Sequence, residues 1–318
     1  MRILVTGGLG FIGRPLTADL VGQGHDVIAL DNGWRSDAEA PAGVRSLKAD
    51  VRDAAAVSDA CAGADVVVHL AAIQGTGNFY RTPELVLDVN VRGVLNVAAA
   101  CASAGVRRLV FSSSSEVYGV PEVFPTPESA PLQVPDPLNP RWSYGGSKII
   151  GELAVANVAR AHGFEFTILR YHNVYGPRMG WDHVIPQFIR RLELGEEFTV
   201  QGDGEQRRAF CYVDDAVAAT SVAVAEARAA GEIINVGNPA EEASINELIE
   251  LLARIAGKAI HPVYIPFEGG GTLRRLPDVT RAREILSFAP RTTLEEGLRQ
   301  TYVWYADAVI RGSVPQLG

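Results

Sequence analysis

Short, wholly apolar runs alternate with helix-length stretches through the first half of this chain. Residues 2–6 read as a strand, followed by a glycine-rich turn and a helix over 11–23. Further strands are expected at 26–30, 46–49, 65–70, 108–112 and 165–169, with a short helix ending at Ala62. A long helix is predicted over 83–104, opened by Pro83 and stopped by Gly105, and another over 142–162. The runs 3–5, 66–68 and 109–111 do not alternate with polar residues, which suits strands covered on both faces. Strand and helix in turn predict an α/β fold, a Rossmann-type doubly wound parallel sheet. Residues 119–141 carry seven prolines and read as an ordered surface loop. Beyond Tyr175 the pattern turns irregular, with a helix near 184–194 and a strand near 198–200, as expected of a smaller lobe.

The first turn carries candidate chemistry. Gly7, Gly10 and Gly13 are spaced G-x-x-G-x-x-G between the first strand and the first helix, with Phe11 and Ile12 among them. Glycines there permit a tight turn and let backbone approach a pyrophosphate, and the helix N-terminus supplies free N–H donors. Asp31 closes the second strand 18 residues past Gly13. A carboxylate there accepts ribose hydroxyls and repels a 2′-phosphate, so NAD is expected rather than NADP. Asn32 follows it, and nearby Arg35 reads as a solvated loop charge. Asp50 and Val51 follow the third strand, where an adenine edge would lie; Asp50 could instead cap a helix.

Composition removes several alternatives. Lys and Arg number 29 against 37 Asp and Glu, a formal net charge of −8. Non-specific nucleic-acid binding needs many phosphate-neutralising cations, so no nucleic-acid partner is expected. Cys61, Cys101 and Cys211 form no C-x-x-C pair. They read as small buried apolar residues in a reducing compartment, and no metal site is expected. The opening run reads as having no basic leader, and no stretch is expected to approach a membrane span of ~20 apolar residues. A cytoplasmic protein without a membrane partner is expected.

A second constellation follows the fifth strand. Ser112, Ser113, Ser114 and Ser115 run into Glu116, and Tyr144 and Lys148 lie four apart on a predicted helix, sharing one face. A cation beside a phenol stabilises phenolate, so Tyr144 is expected to act as a general base with its pKa lowered by Lys148. A serine hydroxyl can orient a reacting alcohol and relay its proton. In an extended segment Glu116, two residues past Ser114, would face the same way. A cap or an ion-pair partner at the strand end is the plainer role for Glu116.

These residues resemble the extended short-chain dehydrogenase/reductases, specifically the nucleotide-sugar epimerase/dehydratase family. The resemblance spans nearly the whole chain. It includes the glycine turn, Asp50 to Asp53, His69 to Ala72, Asn90 to Gly93, the serine run with Tyr144 and Lys148, Arg170 to Pro177, Gly202 to Arg208 and Arg274 to Asp278. It implies Ser114, Tyr144, Lys148 and Glu116 as the catalytic set. It implies that Leu70, Ala71, Ala72, Asn90 and Tyr171 line NAD together with the turn, Asp31, Asn32, Asp50, Val51, Tyr144 and Lys148. Asn173, Arg208 and Arg275 would hold the diphosphate of a nucleotide sugar, UDP foremost, where guanidinium forks match phosphate oxygens. Two positions depart from the family pattern. Ala209 stands where a carboxylate is usual, and His172 stands where Phe is frequent; a structural histidine is expected there.

The resemblance implies oxidation of sugar C4, after which a 4-keto sugar can be reduced from its other face, eliminate its 6-hydroxyl, or lose a C6 carboxylate as carbon dioxide. C4 epimerisation is expected first. Ser114-Ser115-Glu116 resembles GDP-mannose 4,6-dehydratases and UDP-glucuronate decarboxylases, and Arg275 to Asp278 resembles the decarboxylases, which keeps those reactions open. The loop 73–80 is expected to border the sugar. A non-catalytic dinucleotide sensor is the remaining alternative, although such proteins typically lose the tyrosine or the lysine. The expected division is 1–174 for NAD binding and catalysis, and 175–318 mainly for substrate, with some segments returning to the main sheet. A homodimer through helices near 83–104 and 142–162 is implied as well.

Overall fold

Seven parallel strands form the central sheet of the computed structural model, which describes residues 1–35, 39–266 and 271–312. In chain order they are β1 (Arg2–Thr6), β2 (Asp26–Asp31), β3 (Arg45–Lys48), β4 (Val66–His69), β5 (Arg108–Ser114), β6 (Glu165–Tyr171) and a seventh strand, Glu232–Val236. The spatial order is the seventh strand, β6, β5, β4, β1, β2, β3. The chain therefore moves outward from β1 on one side, then returns to its other side at β4. Loops leaving β1 and β4 part there and open a crevice at the C-terminal strand ends.

The uninterrupted apolar runs are explained by covering on both faces. Ile3 and Val5 enter one core cluster with Leu16 and Leu20 of the helix Gly13–Gly22, while Leu4 between them enters the opposite cluster. Val66 and Val68 divide from Val67 in the same way. The second cluster is completed by Val57, Val94, Val97 and Val155 from the helices on that face. Each such side chain, buried completely, contributes on the order of 2 kcal/mol of transfer free energy.

The long helix over 83–104 is three pieces in one path: Pro83–Leu87, a π-turn at Asp88–Arg92, and Gly93–Ala104, ending on left-handed Gly105. Its sequence is long and apolar enough to cross a membrane by length and composition, contrary to the expectation that no stretch approaches that length. Here its Val86, Val94 and Val97 are buried in the core beside the sheet.

Strands β5 and β6 run further than the apolar pattern suggested. Their ladder continues through Ser112, Ser113 and Ser114, which pair with Leu169, Arg170 and Tyr171. Backbone pairing is indifferent to the polarity of these side chains. The seventh strand is an element whose start and end were not read from the sequence. It pairs with β6 from Glu232↔Thr167 to Val236↔Tyr171. A smaller three-stranded sheet pairs Arg207–Ala209 with Glu242–Ser244 on one side and Arg274–Arg275 on the other, setting Arg208 opposite Arg275. The proline-rich loop is tied down by Thr126, whose N–H donates to Leu276 O at 2.7 Å and whose carbonyl accepts from Asp278 N–H at 2.9 Å.

Candidate active site

The cleft at the β1/β4 divergence is lined at one end by the glycine turn and at the other by Ser114, Glu116, Tyr144, Lys148, Asn173 and Arg275. Its first half is built from backbone. Gly7 adopts φ +67, a conformation open to glycine, and an added Cβ would come within 2.8 Å of Ala71 N. A Cβ on Gly13 would collide with the Gly7 carbonyl. The Asp31 carboxylate braces this turn, accepting from Leu9 N–H at 3.1 Å and Gly33 N–H at 2.9 Å. Two glycines and a carboxylate thus shape a backbone cradle that fits a dinucleotide pyrophosphate, with lone pairs of Asp31 left for ribose hydroxyls.

The catalytic candidates converge from two elements. Ser114 ends β5, and its Oγ accepts from Glu116 N–H at 3.2 Å, leaving its own proton to donate elsewhere. Residues Ser115–Tyr118 then form a 3-10 turn rather than the extended segment expected, because the Ser114 side chain caps that turn. Glu116 reaches the cleft all the same. The helix Ser143–His162 carries Tyr144 and Lys148, both buried, and the ring of Phe79 stacks on Tyr144 at 5.3 Å.

Their proton affinities differ from the sequence-based expectation. Burial first, and the Glu116 charge second, raise the Tyr144 phenol above its ordinary value, while Ser114 and Arg35 pull it down. Lys148 is brought down to about 7 by burial, with Glu152 opposing. Its ammonium donates to Ser112 O at 2.7 Å and lies 5.7 Å from the centre of the Tyr144 ring. The protein alone thus leaves the phenol a weak acid, since desolvation outweighs the expected help from the lysine. Behind the lysine, Glu152 is saturated by Ser113 Oγ at 2.5 Å and by Arg170 at 2.7 and 2.9 Å.

The second half of the cleft is built from charge. Glu116 Oε2 receives Arg275 Nη2 at 2.8 Å and lies 3.5 Å from Arg141 Nη2. Burial would raise this carboxyl, but Arg275, Arg141 and then Arg208 hold it below its ordinary value. Arg275 is itself fixed by Ser115 Oγ at 3.1 Å and Thr272 Oγ1 at 3.2 Å. Burial lowers Arg208 to about 9, aided by Arg275 opposite it. Three guanidiniums around one carboxylate leave a local cationic excess in an acidic protein.

Most sequence-predicted residues meet in this cleft: Gly7, Gly10, Phe11, Ile12, Gly13, Asp31, Asn32, Val51, Leu70, Ala71, Ala72 and Tyr171 line it together with the catalytic candidates. Three do not reach its wall. Asp50 spends both oxygens on Arg52 at 2.9 and 3.0 Å and on Asn32 at 3.1 Å, so Arg52 and Val51 line the cleft in its place. Buried Asn90 sits in the π-turn and clamps the backbone of Ile73 at 2.8 and 3.1 Å and Ser147 Oγ at 3.1 Å, which makes it a support for the wall. Arg208 donates to the carbonyls of Arg207, Thr272 and Leu273, so its fork is occupied by backbone. Arg35, expected as a solvated charge, donates to Gln74 O at 2.7 Å and lines the cleft. His172 is structural as expected, buried with Nε2 3.1 Å from Asn235 Oδ1.

Sequence reasoning missed Phe79, His183 and Arg141. Phe79 lies in the loop expected to border the sugar, but its stacking on Tyr144 had no local signal. His183 lines the cleft with an unpartnered Nε2 and is brought down to about 4 by burial. Arg141 stands three residues before Tyr144, and only that spacing on the way into the catalytic helix could have marked it.

Known proteins resemble this chain over nearly its whole length. The chain is 35% identical over 319 residues to the UDP-N-acetyl-alpha-D-glucosaminuronate decarboxylase of Bacillus cytotoxicus, covering 96% of this chain and 98% of that protein. The crystal structure of UDP-glucose 4-epimerase with UDP-glucose from Thermotoga maritima has a TM-score of 0.89 at 33% identity, covering 97% of this chain and 100% of that one. UDP-glucuronic acid 4-epimerase from Bacillus cereus, in complex with UDP-glucuronic acid and NAD, has a TM-score of 0.88 at 28% identity, with 96% and 99% covered. A match to the family model extends over residues 3–237, from β1 to just past the seventh strand. With the glycine cradle, the Ser114/Tyr144/Lys148 cleft and full-length relatives in agreement, the chain belongs to the NAD dependent epimerase/dehydratase family.

Proposed function

We propose that this enzyme binds NAD and a UDP-sugar bearing a C6 carboxylate, oxidises the sugar at C4, and releases the carboxylate as carbon dioxide. The observation that carries this reading is the Glu116–Arg275 pair in the cleft, 2.8 Å apart, with Arg141 and Arg208 beside it. Epimerisation of a neutral sugar at C4 needs a proton carrier and room for the ring to turn; it gives no reason for a charged cluster whose carboxylate also makes the phenol a weaker acid. A hexuronate does give one, because its carboxylate adds a third anionic group to the diphosphate. The decarboxylase of Bacillus cytotoxicus supports the same choice.

NAD, when bound, supplies the acceptor and later the donor of the C4 hydride, and in its oxidised form a positive charge beside the phenol. Tyr144 takes the C4 hydroxyl proton as phenolate, with Ser114 donating to the same oxygen and Lys148 adding charge beneath the ring. Arg275 holds the anionic end of the sugar. In the resulting β-keto acid the C5–C6 bond breaks, its electron pair becomes the C4–C5 enolate, and a proton goes to C5. Water is the source of that proton, and Glu116, ionised beside Arg275, is proposed to orient it. Tyr144 finally returns its proton to the C4 oxygen.

C4 epimerisation is the second reading, favoured by the likeness to the Thermotoga maritima and Bacillus cereus epimerases. Incubation with UDP-glucuronate, UDP-N-acetylglucosaminuronate and UDP-glucose, followed by NMR, separates the two. A UDP-pentose or its N-acetylated counterpart with released carbon dioxide is expected; a C4 epimer with C6 retained would replace decarboxylation by epimerisation.

Residues 1–174 are proposed as the NAD-binding part and 175–318 as mainly the substrate part. A homodimer is proposed through helices 83–104 and 143–162, supported by the exposed Leu95, Ile150 and Leu153. A cytoplasmic setting is proposed from the three free buried cysteines.

A further inference from the structure

We propose that Arg141 is the reserve partner of Glu116, taking over its carboxylate when a substrate anion draws Arg275 away. This rests on the reading of the cleft as a UDP-sugar site. One oxygen, Glu116 Oε2, faces both guanidiniums, Arg275 Nη2 at 2.8 Å and Arg141 Nη2 at 3.5 Å. The first is a full ion pair and the second is too long for a hydrogen bond of ordinary strength. Arg141 Nε is buried and has no partner. A buried donor left idle is costly, and such exceptions call for an explanation. A small swing of the carboxylate toward Arg141 would engage Nε and Nη2 together, the side-on fork that guanidinium offers carboxylates.

The need for a second partner follows from the position of Arg275. It lines the cleft, whereas Arg141 does not. A substrate anion that binds Arg275 competes with Glu116 for the same fork. Pulling one member out of a buried ion pair leaves an uncompensated charge, which opposes ligand binding directly. Arg141 is built to wait. Its backbone N–H is fixed by Asn139 Oδ1 at 3.0 Å in the turn Pro140–Trp142, and its guanidinium lies 5.3 Å from the centre of the Trp142 ring. Arg208 could not serve, since its donors are held by three carbonyls. Arg141 is thus a positioning residue acting through Glu116, with no substrate contact of its own.

The test is calorimetric binding of UDP and of UDP-glucuronate to the NAD-loaded full-length protein, with every variant and its reference carrying Tyr144→Phe so that UDP-glucuronate is not turned over. Arg141→Met is expected to weaken binding ~10-fold, the factor that ~1.4 kcal/mol represents. Arg141→Lys should recover most of this, since it keeps the charge and loses only the fork. In a Glu116→Gln background no carboxylate needs a partner, so adding Arg141→Met should change affinity less than ~2-fold, well under 1 kcal/mol. A loss seen with both ligands assigns the diphosphate as the anion that draws Arg275, and a loss with UDP-glucuronate alone assigns the sugar carboxylate. Reference affinity in Arg141→Met, or an equal loss with and without Glu116, would overturn the proposal, the latter by showing that Arg141 meets the ligand itself. If Arg141→Met does not fold, Arg141→Lys in both backgrounds gives the same comparison on a smaller scale. Failure of the reference to bind either ligand would instead remove the UDP-sugar reading.

Discussion

The two ends of the cleft are made of different materials. The cofactor end is a backbone cradle whose shape depends on missing side chains at Gly7 and Gly13 and on one carboxylate, Asp31, that braces the turn. The substrate end is a cluster of charged side chains, with Glu116, Arg141, Arg208 and Arg275 arriving from four separated segments. The first is rigid because backbone forms it, the turn after β1 being braced by Asp31 at the end of β2 and packed against Ala71 beyond β4. The second is adjustable because its ion pairs can exchange partners without moving backbone. A scaffold of this kind can keep one redox step at C4 and vary what happens to the rest of the sugar.

Tyr144 joins the two ends, and its loss should have the largest effect. Tyr144→Phe is expected to lower turnover by ~10³-fold while NAD stays bound. Stopped-flow or NMR rates together with cofactor titration check this; wild-type turnover would remove Tyr144 as the base. Damage confined to the cradle comes next. Gly13→Ala should weaken NAD binding by ~10²-fold, yet leave UDP binding within a few-fold, because the added Cβ meets the backbone of Gly7 and Gly8 in the cradle. Equal losses of both ligands would mean that the two ends are not independent.

Glu116→Gln sharpens the comparison from the other end. Carbon dioxide release is expected to fall ~10–100-fold as the group that orients the proton-delivering water is lost, while oxidation at C4 persists. Product analysis that finds decarboxylation unchanged would demote Glu116 and favour epimerisation.

The smallest effect is on stability. Burial holds His69 and His172 at about 3, for His69 with help from Lys148 and for His172 against a hydrogen bond to Asn235 Oδ1. Both stay neutral in the fold and take up a proton on unfolding below their ordinary value. Their depressed values leave stability intact above pH ~6.5, and it falls with the pH by ~1.4 kcal/mol per unit for each histidine until pH nears ~3. Urea unfolding at pH 7.5 and 5.5 measures the slope. His172→Phe should remove one histidine's share of it, and an unchanged slope would place the proton uptake elsewhere.

Periodicity and spacing made much of this molecule legible. Wholly apolar runs at 3–5, 66–68 and 109–111 signalled strands sandwiched between helices, and they are buried in the core. Glycine spacing, Tyr144 and Lys148 at one helical interval, and the serine run mark one cleft in the sequence itself. Three residues set back from the cleft wall share a cause. Asp50, Asn90 and Arg208 carry residue types suited to ligands, but each is consumed by protein partners from distant segments. Which partner wins such a side chain is decided by distances that spacing in the chain does not encode.

Sequence alone therefore determined what short-range rules govern: the parallel sheet, the glycine cradle and the pairing of tyrosine with lysine on one helical face. Only the folded structure decided the long-range electrostatics. Burial leaves the Tyr144 phenol high and Lys148 near 7, and the pairing of strands 207–209 and 274–275 sets Arg208 beside Arg275. The reason is physical. Backbone conformation follows from neighbouring residues, whereas desolvation and ion pairing depend on what the rest of the chain brings alongside.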